Sequence, residues 1–166
     1  MTKEEIIKKY NMIPLDREGG MWAAMYRSDE SLPENVIPGR QGSHDLYGSI
    51  LYLLTPGSVS RMHRLASDEI WHFYQGAACE LLMLRPDGSG EAVRLGADIA
   101  GGDELTFMVP RGCWQGCHMT GEGAWALLGT TMAPAYEDVD YEDGTEVLLE
   151  EYPEFADIIL PLLARP

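Results

Sequence analysis

The sequence predicts an all-β sandwich or barrel with short helices only near its two ends. The first observation behind this is a series of short β-prone stretches, near residues 48–54, 58–64, 69–74, 79–85, 91–95, 105–109, 113–119 and 124–132. The second is the chemistry of the breaks between them: Thr-Pro-Gly at 55–57, Pro-Asp-Gly-Ser-Gly at 86–90, Gly-Gly-Asp at 101–103, Pro-Arg-Gly at 110–112 and Gly-Glu-Gly at 121–123. Gly, Pro and Asp supply the dihedrals and local hydrogen bonds of tight turns, and many short strands so separated close into a sandwich or barrel. No segment repeats with a period of roughly 20–50 residues, which excludes a solenoid or a propeller.

The elements before the barrel follow from local signals. Thr2 and Glu5 have capping-box spacing, and Ile6, Ile7 and Tyr10 form one apolar stripe, so residues 2–10 read as a short helix that Asn11 and Pro14 stop. Gly19-Gly20 precedes a strand at Met21–Tyr26. Residues 28–43 turn to Pro, Gly, Asn and Ser and read as a long loop, of the kind that serves as a lid or an edge covering. After Ala133-Pro134 an acidic linker leads to Asp143, which with Glu146 has the spacing of a helix start. That helix is interrupted by Pro153 and continues through Phe155, Ile158, Ile159, Leu162 and Leu163, whose apolar side packs on the sandwich.

A chain of 166 residues that is 45% hydrophobic and 23% charged is expected to form one domain, 1–166, with a core of about 46–133, an N-terminal helix and strand within 1–30 and an acidic helical tail at 134–166. Twelve basic against 27 acidic residues give a net charge of −15, which argues against nucleic acid and anionic membranes as partners. The acid surplus at Glu137–Glu154 reads as a solvated surface. No apolar run reaches the roughly 18 residues of a membrane span, and MTKEEIIKKY carries charges where a signal peptide needs its apolar segment. Cys79, Cys113 and Cys117 are an odd set for a disulfide framework, so a cytoplasmic location is expected.

Chemistry concentrates in GSVSRMHRLASDEIWHFYQG, Gly57–Gly76, which reads as two strands joined by Ala66-Ser67-Asp68, with His63 on the first and Glu69 opening the second. An imidazole and a carboxylate brought together across a turn can share a proton or bind a divalent metal. A later stretch, Val109-Pro-Arg-Gly-Cys-Trp-Gln-Gly-Cys-His118, reads as its partner.

Those two stretches resemble the paired motifs of the cupin superfamily. Gly57, His63, Glu69 and Gly76 match the first, and Gly102, Asp103, Pro110, Gly112 and Gln115 the second. The words LYLLTPGSVSRMHRLASDEIWHFYQG, LRPDGSG and VPRGCWQG are similar, in order, to the cupin_5 (DUF985) branch over roughly residues 5–155. The resemblance implies a double-stranded β-helix, or jelly roll, commonly assembled as a homodimer. It implies little about activity. The chain departs from the metal-binding pattern, because Leu65 stands where a second His would follow His63 and Gln115 replaces the His of the second motif. No tightly bound metal and no other cofactor are therefore expected; a divalent metal, if present, would take His63, Glu69 and Gln115.

Alternation along the strands puts Arg61, His63 and Leu65 on one face, Glu69, Trp71 and Phe73 on another, and Cys113, Gln115 and Cys117 on a third. If these faces line the interior, they form a ligand pocket suited to a small polar metabolite. One β-bulge would reverse the parity and bring in His72 and Trp114 instead. Each candidate also has a structural reading: His63 and Glu69 as a buried pair holding the turn, His72 as a structural histidine, Trp71, Phe73 and Trp125 as core, the cysteines as small buried hydrophobes. His44 reads as a surface residue or a lid contact.

Two function classes follow. The first is a binding module holding a small polar metabolite in the barrel without a transition metal. The alternative is a metal-independent epimerase or isomerase in which His63, with Glu69, is catalytic: His63 takes the proton and Arg61 stabilises the enolate, as in the jelly-roll sugar epimerases this fold is similar to. A homodimer is expected from the exposed sheet edges and from Met21–Tyr26 as a strand that pairs across subunits.

Overall fold

The strands divide their side chains between an interior and two outer faces, with burial alternating residue by residue from Asp68 to Phe73 and running continuously where both faces are covered, as at Leu51–Leu54. The computed structural model describes residues 1–34, 36–37 and 42–163. The chain begins with α1 (Lys3–Tyr10), fixed at its start by the full capping box: the Thr2 hydroxyl accepts from the Glu5 amide while the Glu5 carboxylate accepts from the Thr2 amide. Short β1 (Ile13–Pro14) and longer β2 (Met21–Arg27) follow. Two-residue strands β3 (Ser31–Leu32) and β4 (His44–Asp45) pair with each other, so the stretch read as an irregular loop is drawn into a small ribbon at its base. Positions 35 and 38–41 of that stretch lie outside the described residues.

The barrel strands are β5 (Gly48–Leu54), β6 (Val59–Leu65), β7 (Asp68–Gly76), β8 (Cys79–Leu84), β9 (Gly90–Leu95), β10 (Thr106–Val109), β11 (Trp114–Met119) and β12 (Ala126–Ala133). They fall within a residue or two of the positions the turn chemistry predicts. A last strand, β13 (Tyr141–Asp143), precedes α2 (Val147–Glu151) and α3 (Ala156–Leu162). One sheet has the order β1-β2-β5-β12-β7-β10 and the other β13-β6-β11-β8-β9, every ladder within them antiparallel. This is the jelly roll.

Between the sheets lies an apolar core containing Tyr52, Leu54, Trp71, Phe73, Leu81, Met83 and Leu128, with Cys79, Cys113 and Cys117 as small buried members. The helix α1 covers the outer side of β2 and β5 through Ile6, Met12, Leu51 and Leu53. Helices α2 and α3 cover the other sheet through Leu148, Ile159 and Leu162 against Met62, Leu82 and Trp114. Among the described residues no helix is long and apolar enough to cross a membrane.

Two expectations are corrected, for Asp143 and for His44. Asp143 does not cap a helix: it is in β13, opposite His63 of β6, and the helix starts at Val147 with no side-chain cap. An isolated acid three residues before Glu146 satisfies the capping rule, but the ladder with β6 bonds the backbone of this segment instead. Apart from Asp140, whose side chain is buried against His44, the acids of Glu137–Glu154 are exposed or half-buried, in keeping with a solvated surface, while Tyr141, Leu148 and Tyr152 among them are buried. His44 is not at the surface; it is 3% exposed, with Nε2 3.7 Å from Asp140 Oδ2 in a buried pair that ties β4 to the segment before β13.

Candidate functional site: a cavity at the open end of the barrel

The apolar core fills one end of the jelly roll, and the other end holds a cavity of ≈ 370 Å³. Its walls come from four places in the chain. The turn before β2 gives Leu15, Arg17 and Glu18; β2 and β5 give Trp22, Ala24, Tyr26 and Ile50; β6, β7 and β12 give Leu65, Glu69, Thr130 and Met132; the segment after the barrel gives Tyr136, Asp138 and Tyr141.

Glu18 reaches the interior because of the glycines after it. Leu15 to Gly20 form a tight reversal, with the Gly19 amide on the Leu15 carbonyl and the Leu15 amide on the Gly20 carbonyl. Gly19 takes φ +106° and lies so close to β6 that a Cβ would stand 2.2 Å from the Val59 carbonyl oxygen. Only glycine meets both conditions. The reversal is pinned from several sides: the Arg61 amide donates to the Glu18 carbonyl (2.8 Å), the Tyr52 hydroxyl to the Gly19 carbonyl (2.7 Å), and the Arg61 guanidinium to the Asp16 and Arg17 carbonyls (2.8 and 2.9 Å). Glu18 itself accepts a 2.5 Å hydrogen bond from the Ser60 hydroxyl.

The two predicted motifs meet as alternation requires. His63 of β6 and Gln115 of β11 are directly paired, and Glu69 faces them from the opposite sheet. The Gln115 amide donates to Glu69 Oε2 at 2.6 Å, while its carbonyl accepts from the Trp71 indole at 2.8 Å. His63 Nδ1 lies 2.7 Å from the Arg61 carbonyl, which fixes Nδ1 as the protonated nitrogen, and Nε2 lies 3.9 Å from Glu69 Oε2. Burial opposes a charged imidazole here. The carboxylates of Glu18 and Glu69, with the Arg61 carbonyl, outweigh it and raise His63 to about 9. His63 is therefore an imidazolium at neutral pH. Burial also raises the Glu18 carboxyl, with His63 pulling it down and Glu69 pushing it up.

The outer wall is aromatic. The Tyr141 ring stacks on His63 and lies under the Arg17 guanidinium, 4.1 Å from its carbon. Arg17 is committed to Asp143 Oδ2 (2.7 Å), and Arg27 to Asp45 and Glu137. Tyr136 crosses Tyr141 edge to face and donates to Asp138 at 3.1 Å; burial and that bond push its phenol up to about 12. The Tyr141 hydroxyl is buried and, among the described residues, has no hydrogen-bond partner, its phenol raised by burial and by the charge of Glu18.

Of the residues singled out in the sequence, Glu69 lines the cavity directly. His63 stands behind Glu69 and Tyr141, 1% exposed. Gln115 orients Glu69 from behind. Arg61 turns to brace the reversal, so its side chain holds backbone. Trp71 and Phe73 share the face of Glu69 but lie deeper, in the core. His72 lies on the outer face, its Nε2 3.1 Å from the Thr131 hydroxyl and its ring stacked on Tyr74; burial lowers its pKa. The bulges fall between Ala24 and Tyr26, between Gln115 and Cys117 and between Leu127 and Leu128, so the parity of Glu69 to Phe73 is kept and Trp114 faces outward under Arg64. Sequence reasoning missed Glu18, Tyr136 and Tyr141. The signal for Glu18 was present, an acid directly before Gly-Gly.

The residues do not fit a transition metal. Among the described residues no group of three His, Cys, Asp or Glu is placed to hold one. The Gln115 carbonyl, the one oxygen that could have replaced the missing His, is taken by Trp71, and its amide hydrogens face Glu69.

The model of the Cupin_5 family, described as Cupin superfamily (DUF985), matches residues 4–143. The structure is similar to that of protein SO0799 from Shewanella oneidensis, 32% identical with TM-score 0.85, covering 100% of this chain and 99% of that one. It is also similar to a hypothetical protein from Leishmania major, 26% identical with TM-score 0.88, covering 99% and 100%. The uncharacterized protein YML079W of Saccharomyces cerevisiae is 24% identical over 152 residues, 86% of this chain and 73% of that protein. The chain, with its jelly roll and both cupin motifs, belongs to the Cupin_5 family.

Proposed function

We propose that the protein binds a small polar metabolite in the cavity at the open end of the barrel, without a transition metal. The observation that carries this is the Trp71–Gln115–Glu69 chain: two successive buried hydrogen bonds set one carboxylate at the cavity wall, where a packed core would have an apolar side chain. A volume of ≈ 370 Å³ suits a molecule of one or two rings. Aromatic walls and convergent carboxylates are the mixture such sites use. The test is recovery of ligand from protein purified natively and denatured, followed by titration of the recovered compound into wild type and Glu69→Gln. Weakening by about tenfold, for a lost charged hydrogen bond, supports the reading. Unchanged affinity in Glu69→Gln counts against it.

The epimerase or isomerase reading retains one specific observation, the stack of His63 on Tyr141 beside two carboxylates. An imidazolium raised to about 9 is not a base at neutral pH. In such a reaction Glu69 at the wall takes the proton, and His63 tunes it from behind. Deuterium from solvent entering the carbon next to a carbonyl, lost in Glu69→Gln, is the result that supports it; no exchange in a panel of keto- and aldo-sugars counts against it.

Assembly as a homodimer in the cytoplasm is part of the same proposal. Among the described residues β2 bonds to β5 along its length but to β1 only at Met21 and Trp22, and its edge from Ala23 to Arg27 has no further strand beside it. Sedimentation at micromolar concentration decides the assembly, and a monomer there refutes it.

A further inference from the structure

The cavity's charge defines a ligand class more narrowly. Glu18 and Glu69 stand at its depth and Asp138 in its wall. Among the described residues the cation closest to half-buried Glu18 and buried Glu69 is His63, shielded from the cavity behind Glu69 and Tyr141. The arginines nearby are committed elsewhere: Arg17 to Asp143, Arg27 to Asp45 and Glu137, Arg61 to two backbone carbonyls. An anionic ligand would meet carboxylates with its countercharges already paired. Tyr141 lines the cavity as well, its hydroxyl fully buried and, among the described residues, without a hydrogen-bond partner. Trp22, Tyr26 and Tyr136 also line the cavity, and aromatic rings attract cations as well as apolar surface.

We infer that the cavity takes a small organic cation, a protonated amine, whose nitrogen lies between Glu18 and Glu69 with its carbon frame against the tyrosines. This rests on the ligand-binding reading above and narrows it. Three carboxylates, against one imidazolium and two lining arginines already paired with Asp143, Asp45 and Glu137, leave the site short of positive charge, and an ammonium group supplies it together with three donors. The same charge offsets the desolvation that burial imposes on Glu18.

The test uses two matched trios at neutral pH: benzylamine, benzyl alcohol and benzoate, then glucosamine, glucose and glucuronate. Affinities are measured by calorimetry or saturation-transfer NMR on the full chain. The expected result is an amine preferred at least about tenfold over its neutral partner, with the acid weakest. That preference should fall to about threefold or less in Glu69→Gln and Glu18→Gln, with folding checked by near-ultraviolet dichroism. Asp138→Asn, in the wall and outside the buried network, is the variant that keeps the fold should the others lose it, and should weaken amines alone by about two- to threefold. Neutral or acidic members binding as tightly as the amines, or an amine preference that none of the three variants reduces, overturns the inference and leaves the cavity a ligand site of another class. Absence of binding by all six overturns both.

Discussion

The ring of Tyr141 lies parallel to the imidazole of His63, centroids 5.0 Å apart and planes within 7°, so the strand after the barrel closes over the first cupin motif. The contact is a diagonal cross-strand pair, since Tyr141 is in register with Leu65 and Asp143 with His63. Tyr141→Phe keeps the stack and deletes an unpartnered hydroxyl. It should leave folding stability within about 1 kcal/mol of wild type or slightly above it. Tyr141→Ala should cost about 3 kcal/mol by denaturant unfolding, because a buried ring is lost.

His63 offers a direct reading of the site's charge. Its imidazole resonances should titrate near 9, and Glu18→Gln or Glu69→Gln should each lower that value. For stability the signs are these. A raised His pKa contributes fully below the unfolded value of 6.5 and is lost as pH rises through about 9. A raised carboxyl pKa at Glu18 has the same slope, because the folded state holds its proton above the ordinary 4.5. Unfolding free energy should therefore fall as pH rises from about 6.5 to about 9, and the His63→Gln variant should show a shallower fall.

Gln115→Leu keeps the bulk and removes both hydrogen bonds. The Trp71 indole and Glu69 would each be left buried with one partner fewer, so destabilisation of about 2–4 kcal/mol is expected. Because Glu69 also loses its orientation, ligand affinity should drop more than in a variant of equal stability made in the distal core, such as Leu81→Val. Equal losses in the two would reduce Gln115 to a structural role.

Gly19→Ala tests the reversal that delivers Glu18. A φ of +106° and a 2.2 Å approach to the Val59 carbonyl cannot both be kept with a methyl group, so about 2 kcal/mol or more should be lost. With Glu18 displaced, the His63 titration should also move down, which an ordinary surface glycine would not cause.

The barrel was legible because its strands are punctuated by turns whose chemistry is local: Pro86 to Gly90 or Pro110 to Gly112 state their geometry in a few letters. The meeting of His63, Glu69 and Gln115 was legible as well, from two-residue alternation joined to the two motifs. Alternation names a face but not a depth. It could not separate Glu69 at the cavity from Trp71 and Phe73 in the core, nor show that the Arg61 guanidinium turns back to the Asp16 and Arg17 carbonyls. Tyr136 and Tyr141 were hidden for another reason. They sit among acids that read as solvated surface, and a three-residue strand such as β13 is specified by pairing with β6 rather than by its own letters.

The assembly of the cavity from Glu18, on one side of the barrel sequence, and Tyr141, on the other, has a kinetic consequence. Contacts that close the longest loops of a chain carry the largest entropic cost and form late in folding. The β5–β12 ladder must exist before either flank has a surface to close upon, so a nascent chain acquires its sheets first and its cavity last. Stopped-flow refolding should show tryptophan burial before the Tyr141–His63 stack, and competence to bind should arrive with the slower phase. Occupancy of the cavity thus reports that both ends of the chain have docked, which makes any ligand of this protein a probe of its completed fold.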